Sequence, residues 1–199
     1  MATGWIKTAK EYGIKYLTLY AFSTENWKRD KEEVDGLMEL LLEFLETQLE
    51  ILQKNNVRLK AIGRLKELPQ EVYEALMQVI EETAGNTDGT LVFALNYGGR
   101  AEIVDAARKL AEDVKAGEIN SADIDENLFR QYLYAPEIPD PDLMIRTSGE
   151  LRLSNFLLWE LSYSELYVTD VYWPDFGRED FSRAIDSYYG RDRRYGGRK

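Results

Sequence analysis

The run Leu91-Val92-Phe93-Ala94-Leu95-Asn96, continued by Tyr97-Gly98-Gly99-Arg100, passes from an apolar strand pattern through a glycine turn into helical periodicity. Four other short apolar runs have the same strand pattern: Tyr16–Phe22, Val57–Ile62, Leu143–Arg146 and Leu166–Tyr172. Helical periodicity separates or flanks the strands, at about residues 3–12, 30–54, 68–83, 100–116, 123–134, 154–162 and 179–189. Because these connections are too long for hairpins, they predict an α/β fold with a mostly parallel sheet covered by helices on both faces.

The size and composition of the chain indicate one domain. Its 199 residues, of which 44% are hydrophobic and 31% charged, are enough to bury one sizeable core. The sequence contains no internal repeat, low-complexity tract or interdomain linker. We therefore expect a single domain over residues 1–199.

Charge and hydropathy exclude several classes of function. Lys and Arg number 25 against 36 Asp and Glu, and the resulting formal charge of −11 argues against nucleic-acid binding. No apolar run approaches the roughly 20 residues of a membrane span, and the first residues lack a signal-peptide pattern. We expect a cytoplasmic protein, which an apolar lipid substrate or product could bring transiently to a membrane surface.

Two residue types are missing from the sequence. The absence of cysteine removes disulfides, thiolate catalysis and cysteine-type zinc sites. The absence of histidine removes imidazole as a base, an acid or a metal ligand. A bound metal would therefore have oxygen ligands, which favour Mg²⁺ or Ca²⁺, and a phosphate substrate favours Mg²⁺.

Polar residues directly follow three of the predicted strands. Ser23–Arg29 follows the first strand, Asn96–Arg100 the third and Arg146–Asn155 the fourth. Ligands of open parallel sheets bind beyond the carboxyl ends of the strands. We therefore expect these three segments to converge on one edge of the sheet.

The segment Arg146–Asn155 has the composition of a phosphate cradle. It holds two arginines, hydroxyl side chains and a glycine turn, between a short apolar strand and a predicted helix. The planar fork of arginine matches phosphate oxygens, and the first N–H groups of a helix attract anions. We interpret this segment as a site for a phosphate or diphosphate.

Three other features each have two interpretations. The helix predicted at 30–54 carries two adjacent apolar stripes, which face either the core and a neighbouring helix or subunit, or the core and an apolar tunnel. The Gly-Gly step of Asn96–Arg100 is either a plain turn or part of a site. The basic segment Arg191–Lys199 is either a solvated terminus or a flap over an anionic ligand.

Taken together, the motifs resemble the cis-prenyltransferase family, the isoprenyl transferases typified by undecaprenyl diphosphate synthase. The resemblance rests on segments in the family's order along nearly the whole chain: Tyr20–Arg29, Asn96–Arg100, Arg146–Trp159, Ser164–Tyr167, Trp173–Phe176 and Arg193–Gly197. It implies the condensation of isopentenyl diphosphate onto an allylic, farnesyl-type diphosphate with cis stereochemistry. The implied product is a long-chain polyprenyl diphosphate such as undecaprenyl diphosphate, the implied cofactor is Mg²⁺ and the implied assembly is a homodimer.

The resemblance also implies roles for individual residues. Arg146, Arg152 and Ser154 would bind isopentenyl diphosphate, and Glu165 would help to bind Mg²⁺. Other residues would line the reaction centre or bind substrate: Ser23, Asn26, Trp27, Arg29 and Glu33. Arg194 and Gly196 match the family's C-terminal Arg-X-Gly element, which reaches towards the partner subunit's site. The helix at 30–54 would form a wall of the tunnel for the growing chain.

Two further expectations concern the chemistry and the N-terminus. A carboxamide is not a useful base, so we assign Asn26 an orienting role and expect a diphosphate oxygen or a carboxylate to accept the proton. Family members normally begin with a strand and an Asp-Gly-Asn-Gly-Arg motif that supplies a metal-binding aspartate, and this sequence contains neither. We expect an N-terminally incomplete domain; the alternative is an inactive or non-catalytic subunit that relies on a partner for the missing aspartate.

Overall fold

The structure is a computed structural model that describes residues 2–192, with side chains from residue 5 onward. Its α-helices are α1 Ala2–Glu11, α2 Lys31–Lys54, α3 Gln70–Glu82, α4 Gly99–Ala116, α5 Glu126–Arg130 and α6 Arg178–Tyr189. Its strands are β1 Tyr16–Ser23, β2 Val57–Ile62, β3 Gly89–Tyr97, β4 Leu143–Arg146 and β5 Glu165–Val168. None of the helices in this part of the chain is long and apolar enough to cross a membrane. The chain divides into two compact units: residues 16–139 form one, and the residues before and after them form the other.

The larger unit is built on a three-stranded parallel sheet in the order β1-β3-β2. The central strand β3 is buried along nearly its whole length, as its unbroken apolar sequence requires of a strand covered on both faces. Helix α2 connects β1 to β2, and helix α3 connects β2 to β3. Parallel neighbours need such crossovers, so the predicted alternation of strand and helix is confirmed.

Helix α2 packs one of its two apolar stripes into the larger unit. Val34, Met38, Leu41, Leu45 and Leu52 are buried. Phe44, from the second stripe, is only half-buried and contacts the Phe93 ring of β3 at a centroid distance of 5.0 Å. Leu40 is 62% exposed, so the helix still presents apolar surface after it has packed on the sheet.

The smaller unit combines a two-stranded parallel sheet, β4-β5, with helices α1 and α6. Trp5 of α1 is buried and donates its indole N–H to the Phe176 carbonyl oxygen at 3.2 Å. Its ring lies 4.6 Å from the ring of Trp173. Aromatic packing of this kind joins the first helix to the segment that precedes the last one.

The predicted helix at 154–162 is wrong. The structure has turns there, followed by a short 3-10 helix at Glu160–Tyr163. Ser154, Asn155 and Leu157 have φ angles of 51°, 62° and 41°, which a right-handed helix does not permit. The helix predicted at 123–134 is also shorter, because only α5 forms within it, and a 3-10 turn at Ser121–Asp123 precedes it.

Candidate functional site

The polar segment after β1 folds back on itself. Ser23 ends the strand, and the five residues Thr24–Lys28 form a 3-10 helix. The Ser23 backbone N–H donates to Oδ1 of Asn26 at 2.8 Å. The Asn26 carboxamide is therefore committed to shaping this turn, which agrees with an orienting role and not with a role as base.

Trp27 is a partly exposed aromatic side chain held by a buried amide. Its indole Nε1–H donates to Oδ1 of Asn96 at 2.7 Å. The Phe22 ring meets it edge-on at a centroid distance of 4.9 Å. The side chain is nevertheless 38% exposed, so part of the ring remains accessible to a ligand.

Arg29 and Glu33 are brought together at the start of α2. Nη1 of Arg29 lies 2.6 Å from Oε1 of Glu33, four residues later. Both side chains are about half exposed, at 47% and 52%. An exposed pair at this spacing contributes little to stability, so both groups can exchange partners at low free-energy cost.

The end of β2 approaches the end of β3 very closely. Gly63 has a φ of 121°, and a Cβ there would lie 2.0 Å from the Leu95 carbonyl oxygen. The Arg64 backbone N–H then donates to the Asn96 carbonyl oxygen at 3.2 Å. Only glycine permits this approach, and it brings the loop after β2 against Asn96.

A polar network surrounds Asp105 of α4. Arg64 donates to both carboxylate oxygens, at 2.8 and 2.9 Å, and the Tyr134 hydroxyl donates at 2.7 Å. The hydrogen bonds from Arg64 lower the pKa of Asp105 from its ordinary value of 3.8 to about 2. Burial, followed by the bond to Asp105, raises the pKa of the Tyr134 hydroxyl, so the hydroxyl stays a proton donor at neutral pH.

In the smaller unit, the loop after β4 folds back so that Ser154 lies beside Arg146, the last residue of the strand. Nη2 of Arg146 donates to the Ser154 hydroxyl oxygen at 3.3 Å. Nε of Arg146 is buried and has no hydrogen-bond partner among the residues that the structure describes. A buried guanidinium nitrogen without an acceptor is costly unless an anion supplies one. Arg152 pairs with the Glu150 carboxylate in the same loop.

The backbone of this loop is strained in a way that is typical of ligand sites. Ser148, Ser154, Asn155 and Leu157 are non-glycine residues with positive φ. Gly149 also has positive φ, and a Cβ there would lie 2.8 Å from the Asp170 carboxylate. The Ser148 and Gly149 N–H groups donate to the Val171 and Thr169 carbonyl oxygens, both at 2.9 Å. These bonds tie the loop to the segment after β5. Because no helix begins at residue 154, no helix N–H groups face this loop, which corrects the sequence-based interpretation.

Glu165, the predicted metal ligand, opens β5. Its Oε2 accepts from Nη1 of Arg191 at 2.6 Å, and Nη2 of the same arginine donates to the Leu166 carbonyl oxygen at 3.0 Å. Within residues 2–192, no group of three or more acidic side chains is arranged to hold a metal ion. A single carboxylate still fits Mg²⁺ when substrate phosphates supply further oxygens.

Sequence reasoning found some of these partners and missed others. Arg194 and Gly196 lie outside the described residues. The motifs drew attention to Asn96, but nothing in the sequence linked it to Trp27, 69 positions away. The contribution of Glu67, whose Oε2 accepts from Nδ2 of Asn96 at 3.1 Å, was also missed. An asparagine that ends a buried strand before Tyr-Gly-Gly was the one available signal, since asparagine tolerates positive φ.

A parallel α/β fold whose strand ends carry arginine and hydroxyl side chains is a common architecture of proteins that bind phosphorylated ligands. A family model described as "Putative undecaprenyl diphosphate synthase" matches residues 2–196. The isoprenyl transferase of Clostridium perfringens is 52% identical over 194 residues, covering 98% of this chain and 77% of its own length. These matches show that the chain belongs to the isoprenyl transferase family, also called the cis-prenyltransferases, whose members are enzymes that transfer prenyl groups.

Two other similar proteins carry more specific names. The relative from Micrococcus luteus is named ditrans,polycis-undecaprenyl-diphosphate synthase, (2E,6E)-farnesyl-diphosphate specific. It is 51% identical over 189 residues, covering 95% of this chain and 76% of the relative. The crystal structure of lavandulyl diphosphate synthase from Lavandula x intermedia, in complex with dimethylallyl diphosphate, superposes with a TM-score of 0.95 at 39% identity. The superposition covers 98% of this chain and 85% of the lavandulyl diphosphate synthase chain, and it confirms the predicted fold class.

Proposed function

We propose that the chain condenses isopentenyl diphosphate onto an allylic, farnesyl-type diphosphate with cis stereochemistry, and that repeated condensation gives a long-chain polyprenyl diphosphate such as undecaprenyl diphosphate. The name of the Micrococcus luteus relative supports this choice of primer and product. The names of the Clostridium perfringens and Micrococcus luteus relatives do not support the alternative of a non-catalytic binding subunit.

The observation that carries the proposal is the buried Nε of Arg146, which lies beside the Ser154 hydroxyl and has no acceptor within residues 2–192. Diphosphate oxygens accept several charge-assisted hydrogen bonds, and a guanidinium offers donors in a fixed fork. The strained backbone of residues 148–157 positions these donors before a ligand arrives. We therefore assign the isopentenyl diphosphate site to Arg146, Arg152 and Ser154.

The proposed cofactor is Mg²⁺, with Glu165 as one ligand. Bound magnesium would neutralise negative charge that develops on the leaving diphosphate. Arg191 pairs with Oε2 of Glu165, so Oε1 of the same carboxylate would be the oxygen offered to a metal ion. The Arg191 guanidinium lies beside this proposed ligand and would donate to an oxygen of the substrate diphosphate.

The remaining residues have proposed roles in the larger unit. Ser23, Asn26, Arg29 and Glu33 line the reaction centre, and the exposed part of Trp27 binds substrate. The apolar surface that α2 retains, including Leu40 and the half-buried Phe44, is the proposed wall of an apolar tunnel. Such a wall excludes water from the carbocation-like centre that forms when the allylic diphosphate ionises. The proposed assembly is a cytoplasmic homodimer, with Arg194 and Gly196 reaching towards the partner's site.

The direct test is chain elongation by the purified protein. Incubated with farnesyl diphosphate, labelled isopentenyl diphosphate and Mg²⁺, it should produce labelled polyprenyl diphosphates, and a chelator should stop their formation. The new double bonds should be cis by NMR of the dephosphorylated product. Absence of any labelled product longer than farnesyl diphosphate, from folded protein in the presence of Mg²⁺, would contradict the proposal.

A further inference from the structure

Asn96 is a buried polar residue with every hydrogen-bonding group of its side chain in use. It is 1% exposed and has a φ of 46°. Oδ1 accepts from the Trp27 indole N–H at 2.7 Å, while Nδ2 donates to the Arg64 carbonyl oxygen and to Glu67 Oε2, both at 3.1 Å. A reversed amide would face one donor with its NH₂ group and two acceptors with its oxygen, so these partners fix its orientation.

The partners of Asn96 are themselves held in place. The close approach at Gly63 brings the loop after β2 against Asn96. The Arg64 side chain makes a two-pronged ion pair with Asp105, which anchors the residue whose carbonyl oxygen Asn96 binds. The Asn96 amide is therefore held by partners that are fixed to the sheet and to α4. Its hydrogen bond in turn restrains the partly exposed ring of Trp27.

Trp27 needs such an anchor. It lies in a short 3-10 helix with no buried residues, and its own side chain is 38% exposed. Apolar packing on Phe22 alone leaves the ring free to turn about its side-chain bonds, whereas a hydrogen bond to a buried acceptor fixes the plane of the indole. A side chain that is exposed, aromatic and fixed at its polar end is suited to bind an apolar ligand at low entropic cost.

We propose that Asn96 is a positioning residue for the prenyl transfer reaction: its carboxamide, oriented by Arg64 and Glu67, fixes the Trp27 indole in the orientation that binds substrate. The proposal rests on the proposed function for the identity of the substrate. The Asn96–Trp27 coupling itself can be tested in the free protein.

The first experiment is a double-mutant cycle of Asn96→Asp and Trp27→Phe. Asn96→Asp keeps size and tolerance of positive φ, but its carboxylate faces the Arg64 carbonyl oxygen and the Glu67 carboxylate. We expect each single change to raise the KM for the allylic diphosphate about tenfold, and the double change to raise it little further, because both act through one ring. Additive effects would overturn the proposal, as would an unchanged KM in Asn96→Asp.

The second experiment is rescue. Adding Glu67→Gln to Asn96→Asp gives the new carboxylate an amide donor, so KM should return towards the wild-type value. Asn120→Asp, at an exposed cap far along the chain, serves as the matched control and should leave KM unchanged. A loss of thermal stability without a change in KM, or a failure of rescue in the folded double variant, would show that Asn96 is only structural.

The third experiment needs no turnover. The fluorescence of Trp27 is obtained by subtracting the Trp27→Phe spectrum from that of the parent. In Asn96→Gly, which tolerates the positive φ and removes the acceptor of the indole N–H, we expect red-shifted emission and about twofold stronger quenching by acrylamide, because the ring is released into solvent. An unchanged difference spectrum refutes the positioning role even if elongation is robust. A shifted spectrum in a protein without elongation activity supports the coupling and counts against the proposed function alone.

Discussion

The ionised side chain of Asp105 makes a measurable contribution to the stability of the folded protein. Arg64, Arg108 and the Tyr134 hydroxyl all donate to its carboxylate. The side chain is 15% exposed, so these bonds are only partly screened by water. The same carboxylate fixes Arg64, and through Arg64 the loop that contacts Asn96.

Asp105→Asn should lower the free energy of unfolding at pH 7 by about 1–2 kcal/mol, after allowance for screening. Because the pKa of the folded-state carboxyl is about 2 and its ordinary value is 3.8, its ionisation stabilises the protein above about pH 4. That stabilisation disappears as the pH falls through 2. Urea denaturation should therefore show the difference between wild type and variant narrowing between pH 5 and pH 2. A difference that is constant over this range would contradict the pKa assignment.

At the scale of elements, the central position of β3 determines where the polar segments of the larger unit lie. Both neighbouring strands are parallel to β3, so β1, β2 and β3 end on the same side. Ser23 is the last residue of β1, Gly63 directly follows β2, and Asn96 is the next-to-last residue of β3. The close approach of β2 to β3 at Gly63 is essential to this arrangement.

Gly63→Ala should destabilise the protein by about 3 kcal/mol or more, because a Cβ would lie 2.0 Å from a backbone oxygen at a φ that alanine avoids. Gly36→Ala is the matched control. Gly36 lies inside α2 with nothing near its Cβ position, and alanine there should stabilise the protein by about 0.5–1 kcal/mol. Thermal unfolding of the two variants should therefore shift in opposite directions. Equal shifts would show that the approach at Gly63 is not tight.

Most elements of the fold could be predicted from sequence because their patterns are local. The apolar runs located all five strands, and the periodicity located α1 to α4 and α6 to within a few residues. The helix predicted at 154–162 is wrong because the aromatic and aliphatic residues there have helical spacing, whereas Ser154, Asn155 and Leu157 adopt positive φ. Backbone strain set by long-range contacts leaves no periodic signal.

At the scale of the whole molecule, the chain has the fold of a cis-prenyltransferase and belongs to that family. Sequence motifs predicted the family and named the residues of the candidate site, and their proposed roles stay predictions. The ion pair of Glu165 with Arg191 and the bond between Trp27 and Asn96 could not be predicted, since each depends on how distant segments pack. The single domain expected from sequence also stays a prediction beside the two compact units.

The central claim is that the loop after β4 binds the diphosphate of isopentenyl diphosphate, and calorimetric titration of that ligand tests it most directly. Arg146→Ala should weaken binding by about 100-fold, because it removes charge-assisted hydrogen bonds that include the buried Nε donor. Arg183→Ala, which removes an exposed arginine paired only with a neighbour on α6, should leave the affinity unchanged. Equal affinity of Arg146→Ala and wild-type protein for isopentenyl diphosphate would contradict the account.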